Sequence, residues 1–364
     1  MKILLLGDLC PKENTDPLFQ SGDVDTLFGD TLSIIRESDY TFVNLECALT
    51  ESEGGITKFG PCLKGSPATA KVMKEIGIDL AGLSNNHIFD YGIRGYRDTV
   101  EALDRAGIPH TGFGENYEDA RQNYCFEKNG ERICFICVCE HEYSYALRDR
   151  MGSRAFDCYD TLSDIRAAKA ESDKVIVIYH GGKENCRYPS PRLRKACHAM
   201  VEAGADVIAC QHSHCIGCSE TYRGGFISYG QGNFHFVSDW SKQYPHWPFG
   251  LILRYDTESG RVERIPININ AAVNGIELSK GETLQNTLDL METLDASMED
   301  GSFEEGYAAY CESVREQYAK NLRAAFAPDA TPKKQSILGH FLDCEAHLDM
   351  LLYHNKTANH TNEK

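Results

Sequence analysis

The chain has 364 residues and a formal net charge of −17, with 42% hydrophobic and 25% charged residues. That is material for one large core plus a smaller unit, in the composition range of an ordinary globular protein. The acidic excess excludes a general nucleic-acid binder, which sets clustered Lys and Arg against phosphate, and opposes adsorption to an anionic membrane surface.

The first segment, from Lys2, is an apolar run that stops at Gly7-Asp8. It is too short for a signal-peptide core or a membrane span and predicts a buried strand over 2–8. Six later runs of the same kind, 40–46, 80–85, 132–138, 175–180, 207–211 and 226–230, predict further strands of a largely buried sheet. Amphipathic segments between them predict helices. One starts at Pro67 and runs to about residue 76. Another covers 94–106 and ends at Gly107, and a third covers 192–203, with Leu193, Ala196, Cys197, Met200 and Val201 on one face. Such alternation predicts an α/β layered domain.

Segments 250–256 and 261–269 alternate around Glu258-Ser259-Gly260 and predict a hairpin. Beyond residue 276 the pattern turns helical over 283–298, 303–325 and 334–353, with Gly301, Pro328 and Pro332 between. The expected division is therefore 1–275 for a site-bearing domain and 276–364 for a helical extension, with a polar, frayed last ten residues. Fifteen cysteines at irregular spacing, with no export signal, predict free thiols and a cytoplasmic location.

Five predicted strand ends finish in groups able to ligate a metal. They are Gly7-Asp8, Asn44-Leu45-Glu46, Ser84-Asn85-Asn86-His87, Tyr179-His180-Gly181-Gly182 and Gln211-His212-Ser213-His214. In open α/β sheets, sites form outside the carboxyl ends of strands, so these groups are expected on one rim. Imidazole, carboxylate and amide oxygen together suit one or two divalent transition ions, Mn, Fe or Zn. A bridging carboxylate suits a pair of ions that activates water for an in-line displacement, and His87 beside Asn86 is the candidate proton donor.

Each residue alone has a plainer reading. Asp8 could cap the next segment, one of His212 and His214 could be a surface imidazole, and His87 could brace its loop. Cys210, Cys215 and Cys218, and likewise Cys134, Cys137 and Cys139, offer either a competing cluster or ordinary core packing. Lys58, Lys64, Arg94 and Arg187 either hold phosphate or carboxylate oxygens of a substrate or are solvated surface charge.

The ordered motifs resemble those of the CapA family of capsule and poly-γ-glutamate synthesis proteins, whose domain is similar to a divergent calcineurin-type metallophosphoesterase. The resemblance runs from about residue 2 to 240. It rests on Gly7-Asp8, Asn44-Leu45-Glu46, Asn85-Asn86-His87 with Asp90-Tyr91-Gly92, and His180-Gly181-Gly182-Lys183-Glu184. Gly204-Ala205-Asp206, His212-Ser213-His214 and Tyr229-Gly230-Gln231-Gly232-Asn233-Phe234 complete it. It implies a metallophosphoesterase-like sandwich of mixed sheets flanked by helices, with a helical carboxy-terminal appendage. It places Asp8 and His214 on one ion, Asn86, His180 and His212 on the other, and Glu46 between them. Asp90 and Glu184 fall at motif positions near the catalytic groups. Asn233 closes the cleft, and Lys64 of Lys64-Gly65-Ser66-Pro67 falls where the family keeps a basic residue for substrate.

Three positions depart from the pattern of metallophosphoesterases. Cys10 stands where a His or Asp is usual, Glu46 replaces the bridging Asp as in CapA proteins generally, and Gly181 replaces the family's Trp. The expected activity is cleavage of a phosphoester or related bond in a small-molecule or polyanionic substrate. Two other classes remain open: a non-hydrolytic accessory protein that binds poly-γ-glutamate or a capsule precursor, and a metal-binding module without catalysis.

Overall fold

In the strand Lys2–Leu9, Ile3 and Leu5 point to one face and Leu4 and Leu6 to the other, and all four are fully buried. A strand covered on both faces needs apolar residues at every position, which is why these runs do not alternate with polar ones. The computed structural model in which this is seen describes residues 1–239, 243–270 and 272–360.

Two sheets carry the chain. The first has the order Gly275–Leu278, Val262–Asn270, Phe249–Asp256, Lys2–Leu9, Tyr40–Leu45, Leu80–Gly82 and His110–Thr111, with Asn233–His235 also paired to Lys2–Leu9. It is parallel from Lys2–Leu9 to His110–Thr111 and antiparallel through the hairpin. The second has the order Ser219–Tyr222, Gly225–Ser228, Val207–Gln211, Lys174–His180, Glu131–Cys139 and Tyr124–Lys128. They pack face to face: Ile3, Leu5 and Phe42 of the first share one cluster with Phe135, Ile176, Ile178 and Ala209 of the second. The helices Ala68–Ile76 and Gly92–Ala106 cover the outside of the first sheet through Val72, Met73 and Leu103. Cys158–Glu171, Pro191–Ala203 and Gly281–Asp300 cover the second through Ile165, Leu193, Met200, Leu294 and Met298. The result is the expected α/β sandwich of mixed sheets flanked by helices.

Every strand expected from an apolar run is present. The run over 80–85 shortens to Leu80–Gly82, because the residues after it leave the sheet. The helix Cys158–Glu171 and the strand Tyr124–Lys128 had no expectation attached to them.

The carboxy-terminal part differs in two respects. The single helix expected over 334–353 is two, Pro332–Asp343 and Glu345–His360, interrupted by Cys344 in an extended conformation. The break is held from outside: Glu140 accepts from the backbone N–H of Ala346 at 3.0 Å, and the Cys344 thiol lies against Glu140 and Glu142. The tail expected to be frayed is helical as far as His360, and residues 361–364 lie outside the described residues. The strand Gly275–Leu278 spans the expected division at 275/276, pairing with Val262–Asn270.

The expectation of free thiols is corrected at one pair. Cys125 and Cys134 face each other in the register of neighbouring antiparallel strands and are joined as a disulfide. The other thirteen cysteines are free. Among the described residues no cysteine joins a metal-ligand group, and Cys210 and Cys218 pack in the core. No described helix is long and apolar enough to cross a membrane.

Candidate metal centre

The chain places its site groups where parallel strands end. Asp8 closes the strand Lys2–Leu9, Glu46 follows Tyr40–Leu45, His180 ends Lys174–His180, and His212 follows Val207–Gln211. The two central ends are tied together, since the N–H of Glu46 donates to the carbonyl of Leu9 at 2.9 Å. His212 and His214 both sit in the left-handed region, with φ of 86° and 53°. Backbone of this kind is uncommon outside glycine and collects at functional sites. Asp8 Oδ2 holds this turn by accepting from the N–H of His212 at 3.1 Å.

Asn44 touches two of these groups at once, donating to Asp8 Oδ1 at 2.7 Å and lying 3.1 Å from His180 Nδ1. The other nitrogen of His180 faces Asn86 Oδ1 at 3.1 Å and Glu46 Oε1 at 3.4 Å. His214 Nδ1 donates to Asn233 Oδ1 at 2.9 Å, which turns its Nε2 toward Glu46 Oε1 at 3.8 Å. Two groups of three side chains emerge. One ligand atom from each of Asp8, Glu46 and His214 lies within 4.8 Å of the other two, and the same holds for Glu46, His180 and His212. Glu46 is common to both.

Its electrostatics are the informative part. Glu46 is wholly buried, and among the described residues neither of its carboxylate oxygens finds a hydrogen-bond donor. Burial, with Asp8 beside it, pushes this carboxyl well above its ordinary range. His212 Nδ1 is likewise buried and unpartnered. A buried carboxylate is costly unless it is paired or ligates a cation. Orphaned acceptors amid imidazole, carboxylate and amide oxygen therefore fit divalent transition ions.

Beside these groups lies a buried triad. His87 Nδ1 is 2.6 Å from Asp90 Oδ2, a separation that requires a proton between them. Lys58, 3% exposed, forms an ion pair with Asp90 and donates to the carbonyl of Asn86 at 3.2 Å. Burial and the Lys58 charge lower the pKa of His87. Burial opposes the ionised form of Asp90, yet His87 and Lys58 hold its carboxyl below the usual range. Asp90 also accepts from the N–H of Leu63 at 2.7 Å, so it braces the loop as well as His87.

A cavity of about 580 Å³ opens on this rim, lined among others by Lys58, Asn86, His87, Glu142, Glu184, His214, Trp247, His340 and His347. Glu184 stands at its wall beside Lys183. Lys64 is not among the lining residues; its ammonium contacts the carbonyl of Ser52 and the carboxylate of Glu53. Arg94 pairs with Asp98 on the surface, and Arg187 donates to the carbonyl of Ile216.

The sequence had not suggested Glu142, His340, His347 or Trp247, nor that Lys58 is buried. Glu142 accepts from Asn86 Nδ2 at 2.8 Å and lies 3.4 Å from His212 Nε2. A signal for it existed: Glu140-His141-Glu142 follows the strand Glu131–Cys139 directly, as the other site groups follow theirs. Cys10 is a core thiol, its pKa driven well up by burial and by Cys47, and it joins neither ligand group. At Gly181 an added Cβ would lie 2.5 Å from Glu140 Cγ and 2.6 Å from the Tyr179 ring. Glu140 fills the space a larger residue would need. Gly181→Ala should lose about 1–3 kcal/mol through overpacking, read by urea denaturation, and an unchanged midpoint would refute the steric account.

Residues 2–238 match a family model described as bacterial capsule synthesis protein PGA_cap. The chain is 29% identical over 278 residues to the capsule biosynthesis protein CapA of Bacillus anthracis, covering 74% of this chain and 67% of that one. It is 28% identical over 275 residues to the PGA biosynthesis protein CapA of Bacillus subtilis, covering 73% and 71%. Among solved structures it is similar to a novel phosphatase from Mycoplasma pneumoniae, with 13% identity, a TM-score of 0.46, and coverage of 73% and 92%.

Proposed function

The chain belongs to the bacterial capsule synthesis protein family PGA_cap, and we propose that it is a metal-dependent hydrolase of a phosphoester or related bond in an anionic substrate. The observation that carries this is Glu46, a buried carboxylate with no donor among the described residues, shared by two groups of potential ligands. Asp8, Glu46 and His214 would hold one divalent ion, and Glu46, His180 and His212, with Asn86 beside them, a second. When bound, such ions supply Lewis-acid stabilisation of developing charge and a water of lowered pKa.

The remaining work falls to the chain's own groups. Asn233 accepts from His214 Nδ1 and so presents the Nε2 lone pair of that ring inward, while Asn44 packs against Nδ1 of His180, whose Nε2 faces Asn86 and Glu46. Asp90 accepts a hydrogen bond from the Nδ1–H of His87, which keeps that proton on Nδ1 and leaves Nε2 as the atom that gives or accepts a proton in the cavity. Lys58 anchors the His87 loop through the carbonyl of Asn86. Trp247, its ring 4.3 Å from that of His214, lines the cavity beside this imidazole.

Elemental analysis of the purified protein, followed by a panel of phosphomonoesters and phosphodiesters with Mn²⁺, tests the proposal. His87→Ala should lower turnover by roughly 10²–10³-fold while metal content stays at the parent level. Turnover that survives both His87→Ala and His212→Ala would remove it. A second reading, non-hydrolytic binding of poly-γ-glutamate, is favoured by the names of the Bacillus relatives, which concern capsule and PGA biosynthesis. Saturable binding of that polymer with no turnover on the panel would select it.

A further inference from the structure

A third group of ligand atoms lines the same cavity. Glu142 follows the strand Glu131–Cys139, His340 lies on the helix Pro332–Asp343 and His347 on the helix Glu345–His360. One ligand atom from each lies within 4.8 Å of the other two. The three are 6%, 9% and 6% exposed. The hydroxyl of Tyr318 is 2.7 Å from His347 Nδ1, which sets that ring and leaves Nε2 for the cluster. His340 stacks on Tyr143 with ring centroids 4.9 Å apart, and its Nδ1 has no hydrogen-bond partner among the described residues.

We propose that Glu142, His340 and His347 form a further binding site for a divalent transition ion, built onto the cavity by the carboxy-terminal helices. Two imidazoles and one carboxylate make the three-ligand set that leaves a coordination position open to the cavity. The Tyr318 hydroxyl is the outer partner that such a histidine needs to hold its orientation. An anion is the poorer occupant, because the Glu142 carboxylate lies within the cluster and would repel it. His340 and His347 lie beyond the residues 2–238 that match the family, so two of the three ligands come from the extension and Glu142 from the matched domain. It needs only these three side chains and stands apart from the hydrolase proposal, although Glu142 also touches Asn86 and His212.

The test counts bound metal. The full chain is stripped with a chelator, loaded with Zn²⁺, desalted and analysed by elemental mass spectrometry. The parent, His347→Gln and Glu142→Gln are compared, each alone and combined with Glu46→Gln. Glu142→Gln keeps the side-chain shape and an oxygen for Asn86, so it covers the case in which the histidine variant does not fold. Each substitution should remove about one ion per chain from its background, including the Glu46→Gln background. Unchanged stoichiometry in either background overturns the site. So does loss of every ion in a folded Glu142→Gln chain, which would make this group a brace for the other two. If Glu46→Gln alone removes no ion while Glu142→Gln does, the hydrolase proposal fails and this site stands.

Discussion

Replacing Glu46 by Gln is expected to abolish metal uptake at the two rim groups while leaving the metal-free protein at least as stable as its parent. The two effects have one origin. In the metal-free chain Glu46 is fully buried beside Asp8, also fully buried, and neither of its oxygens receives a hydrogen bond from the described residues. A neutral side chain of the same shape escapes the cost of either protonating this carboxyl or burying its charge beside Asp8, a gain of about 1–3 kcal/mol by the precedent of buried ion groups. With ions present the balance reverses. A ligand at a thousand times its Kd stabilises a folded chain by about 4 kcal/mol, and the variant forgoes that gain at the rim. Hydrolysis should fall by roughly 10³-fold or more, the scale of losing a main electrostatic stabiliser of the transition state. Urea unfolding with chelator and then with Mn²⁺ or Zn²⁺ reads both signs. A metal-free variant weaker than its parent by more than about 2 kcal/mol would mean that Glu46 holds the fold rather than a cation.

What could be read from the chain depends on whether the information is local. The strand Lys2–Leu9 is legible because burial on two faces leaves an uninterrupted apolar run, and the groups after each strand are legible because parallel strands deliver their ends to one rim. The same rule reaches Glu142, but the thiols of Cys134, Cys137 and Cys139 give that strand the signature of core packing or a cluster. The break at Cys344 carries no Gly or Pro; it is set by Glu140 and Glu142, about two hundred positions away. His340 and His347 look like ordinary helix residues until two helices are folded against the sheet rim, so nothing in their spacing marks them. Lys58 is the instructive reversal. A lysine in a loop is ordinarily solvated, and only the Asp90 carboxylate makes its burial tolerable.

That dependence makes Asp90 the most sensitive position outside the ligands. Asp90→Ala leaves the Lys58 ammonium, 3% exposed, to the carbonyl of Asn86, the His87 ring and the face of Tyr143, none of them a countercharge, and it strips the N–H of Leu63 of its acceptor. Breaking a buried pair from one side costs about 3–5 kcal/mol, because the surviving charge stays in low dielectric. The double variant Lys58→Met/Asp90→Ala should recover about 1–3 kcal/mol of that loss, since the stranded charge is gone. Asp90→Asn separates structure from chemistry. Its amide keeps the volume but offers His87 Nδ1 a donor as readily as an acceptor, so the ring is no longer held with its proton on Nδ1. Turnover should then drop by about 10²-fold at unchanged metal content and nearly unchanged KM, the pattern of a residue acting through the one that reaches the cavity. If Asp90→Ala unfolds at the same denaturant concentration as its parent, or the double variant is weaker than Asp90→Ala alone, the lysine has found other partners and the buried-triad account is wrong.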